Sequence, residues 1–333
     1  MSKQKKSTNA SPSAFGWVFQ VGAGMKLMLD NIKEFTHIKM EGKDDDIELT
    51  LPNGKIYAQA KSVIQLGDQS NALKDLKNAA RVLKDNSTKE DAVKLVYITN
   101  IKNPFSGSVK ADYMFNYVYS FDTLKQEDQQ RIREEFGDDF PVEKLEVHIL
   151  YFYGEKDSKF EKIKEQIGEF LRIATGDPSF SKKLLDNWFT TFMVDCADIP
   201  DPKKKIDLSK EEIITPLIVL AIENPISRSE FEKVSDFDDY DGMMQRYRQF
   251  IYNNASVYEL YMSVIGQYNA AVNTQLDKRD YKYKFITDKW NDYESYFSII
   301  ENEEQREAVA KATLLAIINK RSTINQIQEA AGL

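Results

Sequence analysis

Cysteine and histidine are almost missing from this chain of 333 residues, which holds one cysteine, Cys196, and two histidines, His37 and His148. An internal disulfide framework is therefore excluded, and no Cys/His spacing suits a zinc site. Cys196 reads as a small apolar core residue. Long apolar runs are absent as well: nothing approaches the roughly eighteen consecutive apolar residues of a membrane span. The polar start, Met1 to Ala10, is not followed by the apolar segment that secretion needs. A soluble, cytoplasmic protein with no membrane partner is expected. Positive charge is not in excess either, since the formal net charge is −8. That balance argues against a protein that coats nucleic acid non-specifically, but it leaves a local basic groove open. No Gly-x-x-x-x-Gly-Lys-Ser/Thr loop, no dinucleotide fingerprint after a strand and no Gly-x-Ser-x-Gly elbow occurs. Any nucleotide hydrolysis would have to come from a partner.

What is present is enough to fill real cores. Hydrophobic residues make up 42% of the chain, and its length allows one large domain or two of ordinary size. After a short basic tail to about Ser13, residues 15–32 carry Val18, Val21, Met25, Met28, Leu29 and Ile32 at helical spacing. Gly22 and Gly24 inside that helix suggest that another backbone packs close by. Strands are expected over 35–40, 46–51 and 56–62, then a helix over about 69–83 with Leu73, Leu76, Ala80 and Leu83 on its apolar stripe. A β-branched strand follows at 93–99. Further along come a charged helix near 124–136, a strand at 145–153 and an amphipathic helix at about 160–173.

Strand signals stop from about Asp177. A proline-rich and charged stretch, 198–207, has the look of a linker. Helices are expected beyond it at 208–223, 242–275, 281–300 and 303–319. Two domains are therefore expected: an α/β domain with a mixed sheet over 1–200, and an all-helical domain over 201–333. The helical part is rich in aromatics, among them Tyr247, Phe250, Tyr252, Tyr258, Tyr261, Tyr268, Trp290, Tyr293, Tyr296 and Phe297. These read as a helical core with a protein-binding face rather than as a base-stacking platform.

The chemistry-bearing stretch is 41–61. It starts Glu41-Gly-Lys-Asp-Asp-Asp46, passes through a Pro52-Asn53-Gly54 turn and ends in Gln59-Ala-Lys61. Ile47, Leu49 and Leu51 alternate on one face of the first strand, and the turn returns the chain as a hairpin. Residues two apart on a strand point the same way, so Gln59 and Lys61 share a side. A carboxylate, an amide oxygen and an ammonium can then converge on one divalent cation, and oxygen ligands suit magnesium or manganese. Asp46 would ligate the cation and Gln59 would complete its shell. Lys61 would orient or deprotonate water and stabilise charge developing on a phosphate. The plain alternative is an ordinary Asp46–Lys61 surface pair on a hairpin.

In this context the sequence resembles the PD-(D/E)xK nuclease superfamily over about residues 15–100. More closely, Phe19-Gln20, Glu41-Gly42, Asp45-Asp46-Ile47 and Gln59-Ala60-Lys61-Ser62 look like the endonuclease domain of bacterial anti-phage effectors of the CBASS and Lamassu types. The resemblance implies a restriction-endonuclease-like core, cleavage of double-stranded DNA and dependence on Mg2+ or Mn2+. It also implies an SMC-like ABC ATPase and a small middle subunit as partners, and a homo-oligomer in the active state. Gln59 departs from the superfamily's usual acid, so Glu41 or Glu48 would supply the missing charge. Gln20, on the first helix, would contribute a polar group at the metal edge. On the second helix, Lys74, Lys77, Arg81 and Lys84 recur at spacings of three and four. They form either a phosphate-binding stripe or the solvated face of any soluble helix. Two alternatives to the Lamassu-type reading stay open. One is a nuclease-fold interaction subunit without catalysis, and the other is a CBASS-type nuclease activated by a cyclic nucleotide.

Overall fold

The structure is a computed structural model, and it describes residues 11–40, 46–106, 113–197, 206–222, 226–255, 257–272 and 281–333. The chain divides into two compact units, Met1–Glu169 with Ser181–Lys210, and Phe170–Phe180 with Glu211–Leu333.

The first unit is built on α1 (Ser11–Asp30), β1 (His37–Met40), β2 (Ile47–Leu51), β3 (Gly54–Lys61), α2 (Ala72–Ser87) and β4 (Ala92–Thr99). It continues through β5 (Tyr117–Ser120), α3 (Gln126–Phe136), β6 (Leu145–Ile149), the short α4 (Lys156–Lys159), α5 (Glu161–Thr175, as far as Glu169), α6 (Ser181–Ala197) and β7 (Ile206–Ser209). The seven strands form one mixed sheet in the order β5-β6-β4-β3-β2-β1-β7. The stretch β1-β2-β3 is an antiparallel meander, whereas β3, β4 and β6 run parallel. Parallel neighbours need crossovers, and α2 supplies the one between β3 and β4.

The β2–β3 hairpin closes at Gly54, whose φ is +144°. A Cβ there would stand 2.5 Å from the Asp91 carbonyl oxygen, so both backbone angle and space demand glycine. The two faces of the sheet are covered differently. Ile47 and Leu49 pair with Met40 and Ile38, and Gly24 of α1 stands over those same two side chains. On the opposite face, Tyr57 of β3 and Tyr97 of β4 join Leu76, Ala79, Ala80 and Leu83 of α2 in one buried cluster. Full burial of a side chain the size of Leu76 or Leu83 contributes roughly 1.5–3 kcal/mol.

Several sequence expectations are corrected here. The glycines of α1 make room for side chains rather than for a backbone: a Cβ on Gly22 would meet Phe152, and one on Gly24 would meet Met40, both at 2.8 Å. Leu73 is exposed, and Ala79 takes its place on the buried stripe of α2. Strands do not stop at Asp177, because β7 pairs antiparallel with β1 through Ile206 to Ser209. Strand β5, also unexpected, pairs with β6.

The second unit is helical in its described residues: α7 (Lys210–Ile222, from its second residue on), α8 (Arg228–Phe231), α9 (Tyr240–Ala255), α10 (Tyr258–Val272), α11 (Tyr281–Lys289), a 3₁₀ segment (Trp290–Phe297) and α12 (Glu303–Ala331). The expected single helix over 242–275 is thus two, and the one over 281–300 turns to 3₁₀ geometry at Trp290. Helix α12 runs twelve residues past the expected end at Asn319, because Ile324, Ile327 and Ala331 are also buried. Its eleven consecutive residues Ala308–Ile318 are all buried, which makes it the axis of this unit. Asn302 caps its start by accepting from the Gln305 amide at 2.8 Å, and Gly332, at φ +72°, ends it. Of the aromatics, Tyr261, Tyr268, Tyr293 and Phe297 are buried and Tyr296 is exposed. The side chains of Tyr252 and Tyr258 lie outside the described residues.

Candidate active site

Antiparallel pairing of Ile47 with Ala58 brings Asp46, one residue before β2, to the level where β3 carries Gln59. The hairpin is therefore what joins the two halves of the sequence pattern. The Asp46 Oδ2 accepts two hydrogen bonds, one from the Ala60 amide at 2.8 Å and one from the Lys61 ammonium at 3.0 Å. The backbone bond fixes the carboxylate against β3, and the ion pair fixes the lysine. Among the described residues, Asp46 Oδ1 has no partner. The two side chains keep access to solvent, being 16% and 27% exposed. Gln59 is 4% exposed and shares the Tyr57 and Lys61 side of β3, with Tyr97 of β4 as its cross-strand neighbour.

Sequence reasoning missed the support behind this group. The ten residues between β3 and α2 are anchored by Asn100, which is fully buried just after β4. Asn100 accepts from the Val63 amide at 2.8 Å and donates to the Val63 carbonyl at 2.7 Å, while its own carbonyl accepts from the Tyr153 hydroxyl at 2.6 Å. A double clamp two residues past Lys61 limits how far that lysine's backbone can stray. Asp75, in the first turn of α2, was also missed. Burial pushes its carboxyl above the usual range, with the nearby charges of Lys61 and then Lys74 opposing. Nothing in the spacing of α2 separates Asp75 from an ordinary polar position.

The other expected residues are distributed as follows. Glu48 is engaged elsewhere, with Lys55 at 3.0 Å, and Lys55 in turn pairs with Asp91 at 3.3 Å. Glu41 lies outside the described residues. Gln20 is half-buried on α1, which covers the opposite face of the sheet, and no hydrogen bond joins it to Asp46, Gln59 or Lys61 among the described residues. On α2, Lys74, Lys77 and Arg81 are exposed, whereas Lys84 is half-buried and paired with Asp139 at 2.7 Å.

The donor set suits a hard cation: a carboxylate oxygen without a partner among the described residues, an amide on the adjacent strand, and no soft ligand. Among the described residues, however, Asp46 is the one carboxylate of the expected set in place, and no group of three His, Cys, Asp or Glu gathers. A cleft of about 220 Å³ lined by Lys156, Phe160, Lys182 and Asp186 lies apart from this hairpin. No helix among the described residues is long and apolar enough to cross a membrane.

No family model, curated protein or solved structure matches this chain.

Proposed function

We propose that the chain is a metal-dependent DNA endonuclease with a restriction-endonuclease-like core. The order α1-β1-β2-β3-α2-β4, with an antiparallel hairpin leading into a parallel crossover, supports the fold. The observation that carries the chemistry is the shared Asp46 oxygen, held by the Ala60 amide and the Lys61 ammonium at the open end of that hairpin. Asp46 and Gln59 would hold Mg2+ or Mn2+, with Glu41 as the expected further acid. Such a cation, when bound, supplies Lewis-acid activation of a phosphodiester.

The remaining work falls to the chain's own groups. The Ala60 amide keeps Asp46 aimed, so that its second oxygen faces the cation position. Lys61 places positive charge beside the phosphate, where negative charge grows as water attacks phosphorus and the bond to the leaving sugar oxygen breaks. Exposed Lys74, Lys77 and Arg81 on α2 give the extended, anionic substrate sequence-independent contacts. A duplex needs an open edge rather than an enclosed cavity, which agrees with the solvent access that Asp46 and Lys61 keep.

The helical unit is assigned regulation: among its described residues it holds the aromatic core described above and no group of three His, Cys, Asp or Glu able to gather a metal. An SMC-like ABC ATPase, a small middle subunit and a self-assembled active form remain the partners implied by resemblance. The competing reading, an interaction subunit that has lost catalysis, is favoured by one observation, the neutral Gln59 where an acid would strengthen the site. Incubation of purified protein with supercoiled plasmid separates them. Nicking in magnesium that stops with chelator and with Asp46→Ala supports the endonuclease, and an inert wild-type protein supports the interaction subunit.

A further inference from the structure

The Asp46–Lys61 pair poses a problem for the site just proposed, and its solution points to a residue outside the sequence pattern. A divalent cation and an ammonium compete for the same carboxylate, so a cation arriving at Asp46 tends to expel Lys61. An expelled, partly buried ammonium needs another counter-charge. Asp75 is in place to be that counter-charge. It projects from the first turn of α2, the helix that packs on the Tyr57 and Tyr97 side of the sheet, and Lys61 points to that same side. Its carboxylate is half-buried and has no hydrogen-bond or ion-pair partner among the described residues, although half-buried carboxylates normally find one.

A second, independent feature marks the same spot. Tyr97 is fully buried, and among the described residues its hydroxyl makes no hydrogen bond of ordinary geometry. Burial and then the charge of Asp75 push its phenol well above the usual range, with the Thr99 hydroxyl opposing, so the hydroxyl lies within electrostatic reach of Asp75. A buried phenol poorly supplied with hydrogen bonds and a carboxylate without a donor thus stand on the side of the sheet to which Lys61 points.

Resting on the endonuclease reading, we propose that Asp75 is a positioning residue, the second seat of the Lys61 ammonium. Lys61 pairs with Asp46 when no cation is bound and moves toward Asp75 when Asp46 takes up a divalent cation. The lysine then stays charged and beside the substrate without opposing cation binding.

The test is a thermodynamic cycle on the full chain, read by calorimetric titration with magnesium chloride. Asp75→Asn weakens magnesium binding by about tenfold, Asp75→Glu restores it to within about threefold, and Asp75→Asn made on top of Lys61→Met changes it by less than about threefold. Equal losses in both backgrounds would show that Asp75 attracts the cation directly, and no loss in either would remove its role; each overturns the proposal. A metal-free arm separates this failure from failure of the site. In chelator, the coupling between Lys61 and Asp75, measured from urea midpoints, rises when Asp46→Asn removes the first seat. Unchanged coupling overturns the second seat. Magnesium binding that ignores Asp46→Asn overturns instead the placement of the cation.

Discussion

In the proposed site Gln59 is the residue on which the chemistry would turn, because at a buried position it offers a dipole where the resemblance implies a charge. A carboxylate binds a hard cation more tightly than an amide does. We expect Gln59→Glu to preserve or strengthen magnesium affinity and Gln59→Ala to weaken it, as read by calorimetry; equal affinity in all three proteins would place this side chain outside the cation's shell. Glu146 offers a test independent of metal. Burial alone would raise its pKa, but the His148 hydrogen bond and the Lys94 ion pair at 2.7 Å overcome that and bring it down to about 2, from an ordinary 4.5. A folded-state pKa below the unfolded one means stability that is complete above about pH 4.5 and is lost as pH falls towards 2. Urea unfolding across that window should show the loss, and Glu146→Gln should flatten it. A Glu146→Gln protein with the wild-type acid slope would contradict this assignment.

Among the elements, the hairpin was legible in the sequence because its signals agree: alternation in β2, the Pro-Asn-Gly turn, and Gln-x-Lys at one spacing on β3. Strands β5 and β7 were not, for a physical reason. Each has four residues, and each forms at a sheet edge by pairing with one partner, so its formation depends on a long-range neighbour rather than on its own pattern. Asp75 was illegible in the same way, since its importance comes from where α2 lands and not from its spacing. Helix α12 outran its expected end because the polar run Lys320 to Thr323 hides the return of the apolar spacing at Ile324 and Ile327. The basic face of α2 can be tested as a unit. Neutralising Lys74, Lys77 and Arg81 together should weaken DNA binding and lower the slope of log K against log salt by about 2 to 3, near 0.9 for each lost phosphate contact. An unchanged slope would return these residues to the role of a solvated face.

For the whole molecule, the sheet extends past the expected boundary at residue 200. Ile206 to Ser209 pair with β1, the Lys210 amide donates to the Thr36 carbonyl at 2.8 Å, and the Lys210 ammonium donates to the Lys33 carbonyl at 2.9 Å. A chain ending after Lys210 should therefore stay folded, whereas one ending at residue 200 strips β1 of a neighbour and should melt several degrees lower, since about 1 kcal/mol shifts the midpoint by roughly 2–4 °C at this size. Light scattering after size exclusion should find the chain ending at Lys210 unable to adopt the full-length oligomeric state. Retention of that state would contradict the regulatory role given to the helical unit.

For the proposal that Asp46 and Lys61 make this chain a nuclease, the most direct measurement is plasmid cleavage in magnesium by wild type and by Lys61→Ala. Circular dichroism of the variant shows whether it is folded. Removal of a group that meets charge only in the transition state costs about 10²- to 10³-fold in rate, so the folded Lys61→Ala protein should leave supercoiled DNA essentially intact while the wild type nicks it. A folded Lys61→Ala protein that cuts at the wild-type rate would contradict the claim.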